Sequence, residues 1–167
     1  SQSAGAFAAA LLDVGFYVVL GFVAAREVLA AKNRNLPVVG MVLLFGIANA
    51  VDHAAVGGWL VDPDLGWQFA VALVVLMISL IGGRIIPSFT RNWMAKQGIK
   101  KQLPTQPGRF DLLVIGATAL AFLAWITAPP GLISGGLLMA AAALQGVRLA
   151  RWGGARTLRD PLVFILH

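Results

Sequence analysis

Long apolar runs separated by short polar stretches make up most of this chain. Five of the runs are long enough to cross the ~30 Å hydrocarbon core of a bilayer, which takes about 20 helical residues. They lie at residues 4–25, 36–58, 66–83, 110–128 and 131–149, and a shorter sixth run begins at Pro161. The pattern predicts an all-α fold: a polytopic integral membrane helix bundle with about five transmembrane helices plus the start of a sixth, in one transmembrane domain over residues 1–167.

Composition supports the membrane class. Hydrophobic residues make up 59% of the chain and charged residues 12%, whereas a soluble domain has about 45–50% apolar and about 25% charged residues. The absence of cysteine excludes disulfides, thiolate metal ligands and thiol nucleophiles. No P-loop, catalytic carboxylate pair or Ser–His–Asp set can be assembled, so the sequence leaves open whether the protein is an enzyme.

The 13 Lys and Arg residues are confined to the ends of the first, third and fifth runs and the segments that follow them. They are Arg26, Lys32 and Arg34; Arg84, Arg91, Lys96, Lys100, Lys101 and Arg109; and Arg148, Arg151, Arg156 and Arg159. Because cytoplasmic loops of membrane proteins are enriched in basic residues, this distribution places these segments in the cytoplasm and the N-terminus outside. Such a topology signal favours membrane lipids, and not nucleic acid, as the partner.

Residues 84–109 form the longest of these basic segments and are expected to lie on the cytoplasmic surface. Pro87 is expected to stop the third helix within a turn. Residues 88–97 then form a short basic amphipathic helix along the lipid headgroups, and residues 100–108 form an extended connector. The sequence thus predicts a surface segment between the third and fourth membrane helices.

Arg84 and Arg91 in this segment have two interpretations. Gly82 and Gly83 permit close helix approach at the end of the third run, and Trp93 suits the membrane interface. On the first interpretation these residues end a helix and anchor a loop. On the second, the two arginines bind an anionic group such as a lipid phosphate or haem propionates through bidentate hydrogen bonds.

Polar side chains inside the apolar runs nominate a site, because an ionisable group in hydrocarbon is costly and normally faces a partner or a cavity. Asn49, Asp52 and His53 are three and four residues apart and form one stripe on the second helix. Asp13 lies at a compatible depth in the first helix, so we expect it to contact His53. The pair fits three roles: a hydrogen-bonded packing pair, a metal or haem ligand oriented by a carboxylate, or a proton or ion path.

His167 is the only other histidine. Its run begins at the cytoplasmic face, so His53 and His167 are expected to differ in depth by on the order of 10–15 Å. Two nitrogen ligands of one metal lie about 4 Å apart, given metal–nitrogen bonds near 2 Å. The two histidines are therefore not expected to share one metal ion.

The stretch Gly82-Gly83-Arg84-Ile85-Ile86-Pro87-Ser88-Phe89-Thr90-Arg91-Asn92-Trp93 resembles the signature of the NnrS family. That family comprises bacterial polytopic membrane proteins associated with the response to nitric oxide and described as containing haem and copper. Other passages similar to the family follow in its order: Leu12-Asp13, Asn33-Arg34-Asn35-Leu36, Asn49 to His53, Arg148-Leu149-Ala150-Arg151-Trp152, and Pro161 to His167.

The resemblance implies a bacterial inner-membrane protein of around twelve spans, of which this chain is an internal piece. The abrupt ends of the chain, at Ser1 and His167, support the same expectation. Further histidines and the remaining transmembrane helices would then lie outside it, so the piece alone need not bind a cofactor.

The resemblance also implies site residues. His53 and His167 match recurring histidines of the family and are the candidate haem or copper ligands. Arg84 and Arg91 match its motif and are the candidate cofactor-binding arginines. The supporting polar residues are Asp13, Asn49 and Asp52. One departure is that Asp52-His53-Ala54 replaces the more apolar surroundings usual for that histidine, which leaves open whether His53 is a ligand or an ion-paired side chain.

Three functional hypotheses follow. The first is a multi-pass inner-membrane protein resembling NnrS that takes part in the nitric oxide or nitrosative stress response, with haem or copper bound between helices and nitric oxide or a related small molecule as a partner. The second is a small-molecule or ion transporter that uses the intramembrane Asp/Asn/His stripe. The third is a membrane scaffold subunit without cofactor.

Overall fold

The computed structural model describes residues 2–32, 35–60, 62–99, 103–128 and 130–167. Some residues used in the sequence arguments lie outside the described ranges. They are Ser1, Asn33, Arg34, Lys100 and Lys101.

Helices account for nearly all of the ordered structure. In chain order they are α1 (Gln2–Ala30), α2 (Leu36–Val56), α3 (Leu65–Lys96), α4 (Arg109–Thr127), α5 (Leu132–Ala150), a 3₁₀ turn (Gly154–Arg156) and α6 (Pro161–Phe164). The described ranges contain no β-strand, and the predicted all-α fold is confirmed. The first five helices are long and apolar enough to cross a membrane.

Pro87 does not end the third helix. It lies inside α3, which runs for 32 residues without interruption, so the expected stop at Pro87 and the separate helix over residues 88–97 are wrong. Proline removes a single backbone N–H, and the packing of this fully buried ring offsets that loss. At ~1.5 Å per residue, α3 is about 48 Å long and exceeds the hydrocarbon core by several turns.

The described residues fall into two compact units, one ending at Met77 and the other beginning at Ile78. In the first unit α1 packs along α2. A glycine permits this contact at Gly46, where an added Cβ would lie 2.8 Å from the Cβ of Tyr17. The start of α3 approaches α2 equally closely, because an added Cβ at Gly66 would lie 2.5 Å from the Cα of Asp52. The expectation of a single transmembrane domain stays a prediction.

Arg148 is the central side chain of the second unit. Only 2% of its side chain is exposed. From α5, its Nε donates to Oδ1 of Asp111 in α4 at 2.8 Å. Its Nη1 donates to Oγ of Ser79 in α3 at 2.6 Å and to the carbonyl oxygen of the same residue at 3.1 Å. A buried charge is tolerated only when it is paired and hydrogen-bonded, so this guanidinium requires α3 and α4 in fixed positions beside α5.

Neighbouring polar groups complete the network around Arg148. Gln145, one turn earlier on α5, donates from Nε2 to the hydroxyls of Ser79 at 2.9 Å and Thr118 at 3.0 Å. Gln145 thus links α5 to both α3 and α4. The second oxygen of Asp111 accepts from the backbone N–H of Gly108 at 3.0 Å, which caps the N-terminus of α4.

Gly83 provides the space for the Arg148 guanidinium. A Cβ added at this position would overlap Nη2 of Arg148 and lie 2.8 Å from its Cζ. The neighbouring Gly82 differs, because its nearest contact would be the Cδ1 of Ile86 at an ordinary 3.4 Å. Two adjacent glycines therefore have different roles, and only Gly83 is required by packing.

Alanine substitution at Gly82 and at Gly83 is expected to have opposite effects on stability. We expect Gly83→Ala to destabilise the protein by about 1–3 kcal/mol, because Arg148 is fixed by its hydrogen bonds and cannot move away from the new methyl group. Gly82→Ala is the matched control and should stabilise α3 by up to about 1 kcal/mol, since alanine is the better helix former. Thermal unfolding of both variants in detergent measures the difference. Equal melting temperatures would contradict this account of Gly83.

Removing the carboxylate of Asp111 tests the buried ion pair. We expect Asp111→Ala to lower the free energy of unfolding by about 3–5 kcal/mol, because it leaves the Arg148 charge buried and unpaired. The double variant Asp111→Leu with Arg148→Met removes both charges and should recover most of that loss. Denaturant unfolding in detergent measures both values, and a double variant as unstable as the single one would count against the ion pair as the cause.

Candidate functional site

Asp13 and His53 meet between α1 and α2. Nε2 of His53 lies 3.1 Å from Oδ2 of Asp13, so the expected contact between the two helices is present. The imidazole is 28% exposed and the carboxylate 57%. One ring nitrogen of His53 is therefore held by a carboxylate, an arrangement that fixes the orientation of the ring.

An apolar cavity of ≈ 390 Å³ adjoins His53 within the first unit. Phe7, Leu11 and Val14 of α1 line one side, and Trp59 lies after the end of α2. His53 is the one ionisable side chain in this lining. A single polar group on an apolar wall is typical of a site that orients a mostly apolar ligand.

Asn49 and Asp52 line a different cavity from His53. Together with Tyr17 of α1 and Trp67 of α3, they border a space of ≈ 260 Å³. The stripe that the sequence predicts on α2 is thus divided between two cavities, because residues three and four apart on a helix differ in direction by tens of degrees. Asn49 and Asp52 do not contact the His53 ring through any hydrogen bond in the described part of the chain.

His167 packs against α3 in the second unit. Its Nε2 lies 2.9 Å from Oγ1 of Thr90, a fully buried residue. The Thr90 hydroxyl also lies 2.9 Å from the carbonyl oxygen of Ile86. When the hydroxyl donates to that carbonyl it accepts from the imidazole, which puts the proton of His167 on Nε2 and leaves a lone pair on Nδ1.

Nδ1 of His167 is buried and has no hydrogen-bond partner. The ring lies against Gly154, where an added Cβ would be 2.7 Å from the imidazole Cγ. Beside it is a cavity of ≈ 660 Å³ whose other lining residues include Leu149 and Phe164. Burial lowers the pKa of the His167 imidazole from its ordinary value, which favours the neutral ring that metals bind.

The residues of the glycine-arginine motif have separate roles. Arg91 donates from Nη1 to the carbonyl oxygen of Pro104 at 3.1 Å and so fastens the loop after α3. Trp93 donates from Nε1 to Oδ2 of Asp160 at 2.7 Å, while the other carboxylate oxygen caps α6. Arg84 is exposed and forms no hydrogen bond or ion pair with the described residues. Arg91 and Trp93 of the motif therefore join α3 to later segments of the chain. Arg84 is the arginine of the motif that has no such contact with the described residues.

Neither histidine stands in a ready-made metal cluster. Within the described ranges, no three or more His, Asp or Glu side chains are grouped closely enough to hold a metal ion. His53 belongs to the first compact unit and His167 to the second. Each is a single donor beside a cavity. A single imidazole of this kind can serve as one ligand of a haem iron or as one member of a metal ligand set.

Sequence reasoning missed the pairing of Arg148 with Asp111. On sequence alone, Arg148 is placed among the basic residues that set topology and in a passage similar to the family, and Asp111 is given no role. One signal was present: Asp111 is the only acidic residue between Asp64 and Asp160. A lone carboxylate at the start of an apolar helix, in a chain with many cations, indicates an ion pair. No comparable feature of the sequence indicated that Thr90 contacts His167.

Five membrane-length apolar helices, with ionisable side chains paired between them, define a multi-pass α-helical membrane protein. The family model described as NnrS protein matches residues 2–167. The chain therefore belongs to the NnrS family, and the resemblance based on the motif at Gly82 is confirmed. No curated protein and no solved structure matches the chain.

Proposed function

We propose that this protein takes part in the response to nitric oxide or nitrosative stress, as an NnrS-family protein of the bacterial inner membrane. In this proposal haem or copper is bound between helices, with His167 and His53 as ligands. The observation that carries it is the buried, unpartnered Nδ1 of His167. Buried polar atoms nearly always have a partner, and an imidazole nitrogen with a free lone pair is a common metal ligand.

The surroundings of His167 support a ligand role. Thr90 is hydrogen-bonded to the other ring nitrogen and holds the orientation of the ring, as outer-shell partners of metal-binding histidines do. Gly154 leaves no free space on its side of the imidazole. The ring is therefore held in one orientation, beside a cavity large enough to admit part of a cofactor. Because Nδ1 itself is buried, a metal that binds it must displace part of its surroundings.

His53 is the second proposed ligand. Asp13 is bonded to Nε2, so the nitrogen left for a metal is Nδ1. A carboxylate hydrogen-bonded to one ring nitrogen increases the basicity of the other, which strengthens ligation. The apolar wall formed by residues such as Phe7 and Leu11 suits the face of a haem. In the second unit, the exposed Arg84 is the cation proposed to bind a haem propionate or a lipid phosphate.

When bound, the metal would supply a position for nitric oxide, and His167 and His53 would each supply one imidazole nitrogen beside an apolar wall. Further ligands then come from the remaining transmembrane helices of the full-length protein. The proposal covers binding of nitric oxide or a related small molecule and assigns no catalytic step to any residue.

Cofactor content of the purified full-length protein tests this proposal. We expect a haem absorbance band, or copper by elemental analysis, in the unaltered protein. His167→Ala should lower cofactor affinity roughly 10-fold or more, since loss of an outer-shell partner alone costs about 10–100-fold. His53→Ala should lower it similarly if both rings are ligands. A protein with neither haem nor copper would contradict the proposal.

A second variant moves the His167 ring without removing it. Gly154→Ala places a methyl group against the imidazole and should also lower cofactor affinity. Gly136→Ala is the matched control, because an added Cβ there meets nothing within 4 Å. Loss of cofactor in the control as well would assign the effect to general destabilisation. Unchanged cofactor in both His167→Ala and Gly154→Ala would exclude His167 as a ligand.

We also propose that the N-terminus is extracytoplasmic and that the basic segments face the cytoplasm. The chain has no cysteine, so single cysteines report topology without background. In intact cells, we expect a membrane-impermeant maleimide to label Asp62→Cys and to label Lys96→Cys only after the membrane is opened. Labelling of Lys96→Cys in intact cells, with Asp62→Cys protected, would reverse the orientation.

A further inference from the structure

A cleft in the second unit lies between the end of α3 and the turns that precede α6. Its volume is ≈ 610 Å³. Trp93 and Gln97 line it from the last turn of α3 and the residues that follow, and Arg159 and Asp160 line it from the segment before α6. The imidazole of His167 does not line this cleft, so the proposed haem or copper site does not account for it.

Hydrogen bonds to one carboxylate join the two sides of the cleft. Nε1 of Trp93 donates to Oδ2 of Asp160 at 2.7 Å. Oδ1 of the same carboxylate accepts from the backbone N–H groups of Leu162 at 3.1 Å and Val163 at 3.4 Å. Both oxygens of Asp160 therefore already have donors from the protein, and this carboxylate is a fixed part of the wall.

The other charged side chains of the cleft are arginines. Arg156 and Arg159 bring two positive charges, and Asp160 brings one negative charge, so the lining has a net charge of one positive unit. The guanidinium of Arg159 and the side-chain amide of Gln97 make no hydrogen bond or ion pair with any residue that the structure describes. Both can donate to an anion, and an anion with one negative charge balances the lining.

The local backbone keeps the two arginines near each other. Arg156 and Arg159 are three residues apart, so their Cα atoms lie at most about 11 Å apart. Tight turns shorten this segment: the N–H of Thr157 donates to the carbonyl oxygen of Gly154 at 2.9 Å, and that of Asp160 donates to Thr157 at 2.8 Å. Two long, flexible side chains that start this close to each other can pair with one phosphate group.

The cleft also lies at a membrane boundary and has apolar side chains on its surface. The membrane-length apolar stretch that begins at Leu132 ends at Arg156, and an indole such as that of Trp93 suits the headgroup layer. Leu158 is 62% exposed and Ile99 is 39% exposed, and both line the cleft. A free phosphate ion has no apolar part to cover them, whereas a phospholipid carries acyl chains beside its phosphate.

We propose that this cleft binds the headgroup of an anionic phospholipid. Arg159 pairs with the phosphate oxygens, Gln97 donates a hydrogen bond from its amide, and Arg156 supplies the second positive charge. The acyl chains cover Leu158 and Ile99. Such a lipid contacts both α3 and the segment before α6, and its binding does not depend on haem or copper.

Native mass spectrometry of the full chain in a non-ionic detergent tests the proposal. The protein is titrated with phosphatidylglycerol or with phosphatidylcholine, whose phosphate is balanced by its own cation, at one ionic strength. We expect phosphatidylglycerol to bind roughly 5-fold or more tightly than phosphatidylcholine. Inorganic phosphate should not displace it. Displacement by inorganic phosphate would assign the cleft to a free anion, and equal affinity for the two lipids would remove the role of charge; either result would overturn the proposal.

Variants at exposed positions assign the binding to this cleft. Arg159→Gln should weaken phosphatidylglycerol binding roughly 10-fold, because it removes charge-assisted hydrogen bonds. Gln97→Ala leaves the net charge unchanged and should weaken binding about 3-fold or more through loss of one hydrogen bond.

Arg109→Gln is the matched control, because it removes the same charge from an exposed arginine at the start of α4, outside the cleft lining. Its effect measures the general attraction of a basic surface for an anionic lipid and should be smaller than that of Arg159→Gln. Equal effects of Arg159→Gln and Arg109→Gln, or unchanged binding in Gln97→Ala, would reduce the interaction to general surface charge and refute a specific site.

Discussion

The buried pair of Arg148 and Asp111 is the interaction on which the second unit depends. A guanidinium in an apolar interior is tolerated only if its charge and its N–H groups are satisfied, and here the partners come from two other helices. Meeting that requirement fixes the rotation of α3, α4 and α5 about their axes. The same rotation places Thr90, three turns beyond Ser79 on α3, where it meets His167. The candidate ligand is thus positioned by an ion pair that it does not touch.

The motif that identifies the family is explained mainly by this architecture. Gly83 makes room for Arg148, Thr90 contacts His167, and Trp93 and Arg91 fasten α3 to the segments that follow it. Each of these residues acts on a different neighbour. A motif can therefore mark a family through packing requirements, while a proposed cofactor donor, His167, lies on a segment that the motif contacts.

Polar groups inside the protein fall into two classes, those that have hydrogen-bond partners and those that have none. Arg148 has partners for its charge and for most of its N–H groups, and removing it would disturb the fold. Nδ1 of His167 and Oδ1 of Asn49 are the buried side-chain atoms without a partner in the described ranges. Because an unsatisfied buried polar atom is costly, these two atoms are the places where a ligand has the most to contribute.

The sequence alone determined the membrane class, the number of long helices and the family, because each depends on local properties: the length of an apolar run, or residues adjacent in a motif. Its error at Pro87 was also local, since helix-breaking propensity was outweighed by burial of the ring. The tertiary structure decided which polar side chains meet. Arg148 contacts Asp111, 37 positions away in the chain, and His167 contacts Thr90, 77 positions away. Asn49 and His53 line two different cavities although they lie on the same helix. These pairings depend on how each helix is rotated against its neighbours, and that rotation is set by packing between segments distant in the chain.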